Sequence, residues 1–185
     1  MIEIKNRFTD KVIFRSEKAK TVKEAVKEAI KQKVSLKEAN LVEANLSGIN
    51  LSGADLSNAN LKGVNLSNAN LVEAYLSNAN LVGANLRGTN LNRVDLSEAN
   101  LEGVNLSKVS LKEAYLNEAN LKRANLSGAN LSEADLRGVD LRGTNLRGTN
   151  LRGVNFLFCK MDKKVFKQIT EEWFEWKITD EAEEK

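Results

Sequence analysis

A leucine occurs at every fifth position from Leu36 to Leu151, twenty-four times without interruption, and Phe156 and Met161 continue the same spacing. A period of five fits neither an α-helix, which repeats about every 3.6 residues, nor a single strand, which alternates every second residue. The chain must therefore turn once in every repeat. Such an internal repeat predicts a stack of similar units, each of which contacts mainly its neighbours.

Each repeat has the pattern of a very short strand followed by a corner. A small or β-branched residue lies two positions before the leucine with a polar residue between them, as in Ala54-Asp55-Leu56, so two of the three side chains face the core. All eleven glycines occupy the second of the two corner positions that follow the leucine. A type II turn needs a positive φ there, which Gly and Asn adopt readily, whereas a type I turn accepts other residues. We therefore predict type II corners at the glycines and at Asn58, Asn68 and Asn78, and type I corners at Glu73, Glu98, Glu113 and Arg123.

This run of A-(N/D)-L-x-x units resembles the pentapeptide repeat proteins over residues 34–161. The resemblance implies an all-β fold, a right-handed quadrilateral parallel β-helix with four repeats per coil. The polar position supports four repeats per coil, because it is almost always Asn except in one series. The members of that series lie 20 residues apart, which is four repeats of five. Twenty-four leucine repeats then correspond to about six coils. The exceptional series reads Asp55, Tyr75, Asp95, Tyr115, Asp135.

The polar and inward positions carry further expectations. The asparagines should stack as side-chain amide ladders, and the hydroxyl groups of threonines in the small inward position need backbone acceptors. Cys159, in the same inward position, is expected to be a buried small side chain. The asparagines of one such series are Asn45, Asn65, Asn85, Asn105, Asn125 and Asn145, and the threonines are Thr89, Thr144 and Thr149.

The segments outside the repeats are predicted to cover the unpaired strand edges at the two ends of the stack. Residues 1–33 predict a β-hairpin followed by a helix, at whose start Thr21 and Glu24 form a capping box. Residues 162–185 predict a helix with Asp162 as its N-cap, followed by an acidic tail. The expected organisation is an N-terminal hairpin-and-helix cap (1–33), a β-solenoid (34–161), and a C-terminal helical cap with its tail (162–185).

The C-terminal helix carries more apolar side chains than one coil end requires. They fit two interpretations, a cap alone or a cap that also pairs two subunits, since exposed aromatic patches commonly mark interfaces. The resemblance favours the homodimer, because C-terminal segments pair subunits in several pentapeptide repeat proteins. The candidate contact residues are Phe166, Ile169, Trp173 and Trp176.

The composition excludes several classes of function. The chain has no His, which excludes His-based acid–base catalysis and imidazole metal sites, and it contains no nucleotide-binding motif. A single cysteine, with no signal sequence and no long apolar run, predicts a cytoplasmic protein that does not associate with membranes. The lysines of the N-terminal helix lack interleaved aromatic residues and are interpreted as a solvated face, so direct nucleic-acid binding is not expected. We expect a protein that is not an enzyme and holds no cofactor or metal.

One wall of the predicted coil combines the series of three aspartates and two tyrosines with further carboxylates. It fits either a strip that binds a basic protein partner, with the tyrosines as anchors, or a solvated surface without a function. The members of this wall are Asp55, Tyr75, Asp95, Tyr115 and Asp135 together with Glu38, Glu98 and Glu118, against two cations, Lys37 and Arg137.

The predicted function is a structural or protein-interaction module with an unknown protein partner. The resemblance offers an alternative, because some pentapeptide repeat proteins resemble a DNA duplex in size and charge and bind type II topoisomerases such as gyrase. Such mimicry requires a strongly acidic rod, whereas residues 36–155 of this chain contain twelve basic and twelve acidic residues.

Overall fold

The computed structural model describes residues 1–171 of the chain. It begins with two antiparallel strands, β1 (Ile2–Lys5) and β2 (Val12–Ser16), and continues with the helix α1 (Val22–Lys31). The predicted N-cap is confirmed, because Thr21 Oγ1 accepts a hydrogen bond from the N–H of Glu24 at 3.2 Å. The hairpin and the helix thus form where the sequence predicted them.

The repeats form strands of one residue each, which pair in parallel between successive coils. Each polar-position residue pairs with the residue 20 positions later, from Asn40 with Asn60 to Asp140 with Lys160. A step of 20 residues corresponds to four repeats of five. The polar positions of every fourth repeat therefore stack in one column along the solenoid.

Backbone hydrogen bonds between coils hold this stack together. In most repeats between the two ends, the N–H groups of the leucine and of the second corner residue donate to the next coil, and that of the polar residue donates to the preceding coil. In the repeat that begins at Leu96 these three bonds measure 2.7, 2.9 and 2.9 Å, and the N–H of Ala99 closes the corner on the carbonyl of Leu96 at 3.0 Å. Four of the five N–H groups of a repeat therefore find backbone acceptors.

The fifth N–H group, that of the first corner residue, is bound by the polar side chain. Ser97 N–H donates to Asp95 Oδ1 at 3.0 Å, and Ser47 N–H donates to Asn45 Oδ1 at 3.2 Å. This is an Asx turn, which Asn and Asp form with the N–H two residues on. The polar position holds Asn or Asp because it supplies the one acceptor that the backbone lacks, a role that the sequence analysis did not assign.

The predicted amide ladders are confirmed in part. In the predicted series, the side-chain amides donate to the side-chain oxygen of the asparagine one coil earlier, at 3.1 to 3.4 Å, except between Asn85 and Asn105. These bonds link Asn45 through Asn65 to Asn85, and Asn105 through Asn125 to Asn145.

The core is a filled column of leucines flanked by small side chains. The leucines from Leu36 to Leu146 are buried, and the axial space around Leu81 has no volume large enough for a water molecule. The three inward threonines find acceptors as expected, for example Thr89 Oγ1, which donates to the carbonyl of Leu66 at 2.8 Å. The thiol of Cys159 is only partly buried and donates to the carbonyl of Leu136, and burial raises its pKa to about 11.

The predicted split between two corner types is wrong. The backbone φ is positive at every second corner position from Glu38 to Phe158, which excludes type I turns throughout. The bond from the second corner N–H to the next coil requires the same corner geometry in each repeat. This requirement outweighs a cost of about 1–2 kcal/mol for each residue with a side chain in the left-handed region. The positions predicted as type I, and their φ angles, are Glu73 (58°), Glu98 (59°), Glu113 (58°) and Arg123 (57°).

Both flanking segments bond to the edges of the coils. At the N-terminal end Asn40 N–H donates to the carbonyl of Lys5 at 2.8 Å, and Arg7 N–H donates to the carbonyl of Glu38 at 2.7 Å. Val26 on α1 is fully buried in the core that the hairpin and the first coil share.

At the other end the chain enters a second helix, α2, which begins at residue 163 and includes the last described residue. Asp162 caps it as predicted, since it accepts the N–H of Val165 at 2.9 Å and that of Gly143 in the coil at 2.7 Å, and these bonds lower its pKa. Gln168 Oε1 accepts the N–H of Leu146 at 2.7 Å. Neither α1 nor the described part of α2 has the length and apolar character needed to cross a membrane.

The positive φ at the corners predicts that Gly103→Ala destabilises the protein. A Cβ at Gly103 would meet no atom within 4 Å, so its effect reports the backbone conformation alone. We expect the free energy of unfolding to fall by about 1 kcal/mol in urea denaturation followed by circular dichroism. Ser107→Ala, at a first corner position where φ is not positive, is the control and should leave stability unchanged. Equal stability of both variants would contradict a left-handed corner at Gly103.

Candidate functional site

The five residues of the candidate partner-binding wall stack directly on one another. Parallel pairs join Asp55 to Tyr75, Tyr75 to Asp95, Asp95 to Tyr115, and Tyr115 to Asp135. We call these five residues the tyrosine column. The three aspartates are half-buried, whereas the two tyrosines are 53% and 55% exposed. The structure therefore brings together every member of the column that the sequence singled out.

Two of the three carboxylates in the column are occupied by neighbouring side chains. Asp55 Oδ2 accepts a hydrogen bond from the hydroxyl of Ser35 at 2.7 Å. Burial raises the pKa of Asp55, but the hydrogen bonds from Ser35 and Ser57 outweigh burial and lower this pKa below its ordinary value. Asp135 is bound by the guanidinium of Arg137 through contacts of 2.6 to 2.9 Å, which lower the pKa of that carboxyl.

Asp95 differs from both. Its Oδ1 accepts the N–H of Ser97 at 3.0 Å, and among the described residues no cation or hydroxyl group binds its Oδ2. Asp95 also lies between the two tyrosines, one coil from each. The column thus contains one carboxylate with an available oxygen, and that carboxylate has an exposed aromatic ring on either side.

A line of alternating charges runs along the adjacent corner. Arg93 lies between Glu73, at 3.4 Å, and Glu113, at 2.8 Å, and Lys112 pairs with Glu113 at 3.1 Å. Sequence reasoning missed this line, although the same 20-residue spacing at second corner positions signals it. A shallow depression at this place is lined by Glu73, Tyr75, Arg93, Asp95, Glu113 and Tyr115.

The tyrosines occupy a position where the fold uses Asn or Asp. A phenol ring offers no acceptor to the N–H two residues on, so Tyr75 and Tyr115 give up the Asx bond. Ser110 is another polar-position residue that is neither Asn nor Asp, and there Asn92 Oδ1 accepts the N–H of Lys112 instead, at 3.2 Å. In the part of the chain that the structure describes, no side chain takes over this role after the tyrosines. Each tyrosine therefore departs from the local rule without compensation.

The candidate contact residues of α2 are only partly brought together. Ile169 packs against the core, as a cap contact would, whereas Phe166 is 59% exposed and remains a candidate for contact with a second subunit. Trp173 and Trp176 lie outside the described residues. Within residues 1–171 no three His, Cys, Asp or Glu side chains come together in a group that could hold a metal ion.

If the tyrosines are not there for stability, replacing them with the residue that the fold prefers should stabilise the protein. We expect Tyr75→Asn and Tyr115→Asn each to restore an Asx bond and raise the free energy of unfolding by about 1 kcal/mol in urea denaturation. Asn80→Tyr, which removes the bond that Asn80 Oδ1 accepts from Val82 N–H, is the reverse control and should be destabilising. A loss of stability in the two asparagine variants would show that the tyrosines act structurally.

Comparisons with known proteins identify the family. The model of the pentapeptide repeats matches eight copies, over residues 32–68, 69–107, 105–143 and 129–163. Among solved structures, HetL, a pentapeptide repeat protein involved in the regulation of heterocyst differentiation in the cyanobacterium Nostoc sp. strain PCC 7120, is 32% identical over 69% of this chain and 74% of its own, with a TM-score of 0.33.

Two further solved structures are similar. A pentapeptide repeat protein of the Arabidopsis thaliana thylakoid lumen is 31% identical over 53% of this chain and 68% of its own, with a TM-score of 0.42. QnrB1, a plasmid-mediated fluoroquinolone resistance protein, is 21% identical over 70% and 72%, with a TM-score of 0.36. No curated protein matched the chain. The family model covers most of the sequence, and the chain belongs to the pentapeptide repeat proteins, which fold as right-handed quadrilateral β-helices.

Proposed function

We propose that this chain is a non-enzymatic, cytoplasmic protein-interaction module whose tyrosine column binds a partner protein. Pentapeptide repeat proteins are generally structural or interaction modules. The leucine column fills the axis of the solenoid, so a partner would bind on the outer walls. The single cysteine is the support for a reducing compartment.

The observation that carries this proposal is the pair of exposed tyrosines at positions where the fold uses Asn or Asp. Positions that break a local structural rule without compensation are commonly functional. Tyrosine is also enriched at the energetic centres of protein interfaces, because its ring supplies a large apolar area and its hydroxyl group a polar one. Tyr75 and Tyr115 combine both properties on one wall.

We also propose that the flanking segments close the two ends of a rod of about six coils, with residues 1–33 and 162–185 as caps. The bond from Asn40 N–H to Lys5 supports this role at one end. The bonds from Gly143 N–H to Asp162 and from Leu146 N–H to Gln168 support it at the other. Caps of this kind prevent edge-to-edge association of solenoids.

An affinity experiment with host lysate tests the proposed binding wall. The test variant changes Asp55, Asp95 and Asp135 to Asn and Tyr75 and Tyr115 to Ser. We expect the wild type to capture a protein that this variant loses. A control variant with Glu43→Gln and Glu102→Gln removes carboxylates from corners away from the column and should retain the partner.

Equal capture by wild type and column variant would contradict a binding role for the wall. Gyrase is the partner that the alternative function, DNA mimicry, would require. In that case the wild type should inhibit supercoiling by gyrase, and the column variant should not.

The C-terminal helix is proposed to pair two subunits through the side that carries Phe166. The support is the exposure of this aromatic ring beside a helix face that packs on the core. We expect light scattering to give a dimer mass for the wild type, and Phe166→Ser, Trp173→Ala or Trp176→Ala to shift the mass toward the monomer. Lys163→Ala is the control. A monomeric wild type, or a dimer that all three changes leave intact, would contradict this interface.

A further inference from the structure

We propose that Tyr75, Asp95 and Tyr115 form a notch that binds one arginine side chain of the partner protein. The guanidinium group would lie between the two rings and donate a hydrogen bond to Asp95 Oδ2. This inference rests on the proposed function of the tyrosine column and adds the chemistry that the partner must present.

The available oxygen of Asp95 is the first observation. Within the column, Asp55 Oδ2 already accepts the hydroxyl of Ser35, and Asp135 is already bound by Arg137. Asp95 uses Oδ1 for the corner and keeps Oδ2 without a partner among the described side chains. A charged donor from a partner would therefore find its acceptor at Asp95, and the other two aspartates serve as internal comparisons.

The spacing of the tyrosines is the second observation. Stacked strands lie about 4.8 Å apart, so the attachment points of Tyr75 and Tyr115, two coils apart, are separated by about 10 Å. A cation midway between the rings would lie about 5 Å from each, inside the distance of about 6 Å over which cation–π attraction acts. The aspartate side chain is shorter than that of tyrosine, so the carboxylate forms the floor between the two rings.

The charges around the notch favour a cation. On one side, Arg93 and Lys112 are already paired with Glu73 and Glu113. On the other side, the next corner carries carboxylates and no cation next to Asp95. Five carboxylates thus lie in or beside the depression, of which Glu73, Asp95 and Glu113 line it, against two paired cations. The carboxylates are Glu73, Asp95, Glu98, Glu113 and Glu118.

Arginine fits this arrangement better than lysine. Its guanidinium group is planar and can stack on an aromatic face on each side while its N–H groups donate in the plane. It is also less strongly hydrated than an ammonium group, so it loses less when it enters a partly enclosed site. An ammonium group is a compact, strongly hydrated charge without a planar face, so it cannot stack on the rings.

The chain contains only two tyrosines, Tyr75 and Tyr115, which makes the notch directly observable. In a sample labelled with ¹³C in the tyrosine rings, the NMR spectrum reports the two walls of the notch and nothing else. The probe is a short capped glycine–serine peptide with one central arginine. The comparison peptides replace arginine with citrulline, which has nearly the same shape without the charge, or with lysine.

We expect the arginine peptide to shift both tyrosine signals in a saturable way, the citrulline peptide to shift neither, and the lysine peptide to bind more weakly. Asp95→Asn should weaken the arginine peptide by about fivefold or more, because it removes a charge-assisted hydrogen bond. Asp55→Asn and Asp135→Asn are matched controls in the same column and should change the affinity by less than about twofold. Circular dichroism of the variants checks that the fold is retained.

Several results would overturn the inference. They are the absence of shifts, a shift of only one tyrosine, equal binding of the citrulline or lysine peptide, and binding that Asp95→Asn leaves unchanged. Shifts that depend on protein concentration without peptide would assign the notch to a second copy of the chain and would also overturn it.

The two proposals can fail separately. If lysate capture depends on the column but Asp95→Asn retains the partner and no arginine peptide binds, the binding wall stands and the notch is wrong. If the arginine peptide binds through Asp95 while capture does not depend on the column, the notch stands and the proposed function is wrong.

Discussion

The solenoid depends on hydrogen bonds that satisfy the five backbone N–H groups of a typical repeat, although the strand of each repeat is only one residue long. Three of these groups bond to neighbouring coils, one closes the corner, and one is bound by the polar side chain. Donors without acceptors are costly, so this pattern recurs along most of the solenoid, and the Asx bond is lost at Tyr75 and Tyr115. The inter-coil bond of the second corner residue then sets the corner geometry, which explains why Glu98 and Gly103 adopt the same left-handed conformation. The leucine core supplies the apolar burial, but the hydrogen bonds determine the shape within which it packs.

Much of the fold could be predicted from the sequence because the sequence contains two independent periods. The five-residue period of the leucines gives the turn in each repeat, and the 20-residue period of the polar position gives the stacking of coils. The acceptors of the inward threonines follow from the same periodicity. The corner conformation could not be predicted, because turn preferences describe isolated residues, whereas the bond from Glu98 N–H to the next coil overrides the preference of glutamate.

The residues that make up the candidate site could be predicted from the sequence, but the different surroundings of its three aspartates could not. The spacing placed Asp55, Asp95 and Asp135 in one column, but their different surroundings depend on which hydroxyl or guanidinium groups the corners bring within reach. The sequence also left open whether Phe166 contacts the coil or a second subunit. The side of α2 that meets the coil is set by Val165, Gln168 and Ile169, which lie three and four residues apart, and Phe166 lies one position outside this stripe.

A stack of identical repeats separates structural positions from positions that are free to change. The inward positions are constrained by the core and the polar positions by the Asx bond, so an aromatic residue in a polar position stands out as a departure with a known structural cost. Alternation gives this departure its geometry. Tyrosines in consecutive coils would lie about 5 Å apart and pack against each other, which would leave no space between the rings. Placing the shorter Asp95 between Tyr75 and Tyr115 doubles the separation, and it puts a carboxylate where a planar cation between the rings would need its counter-charge.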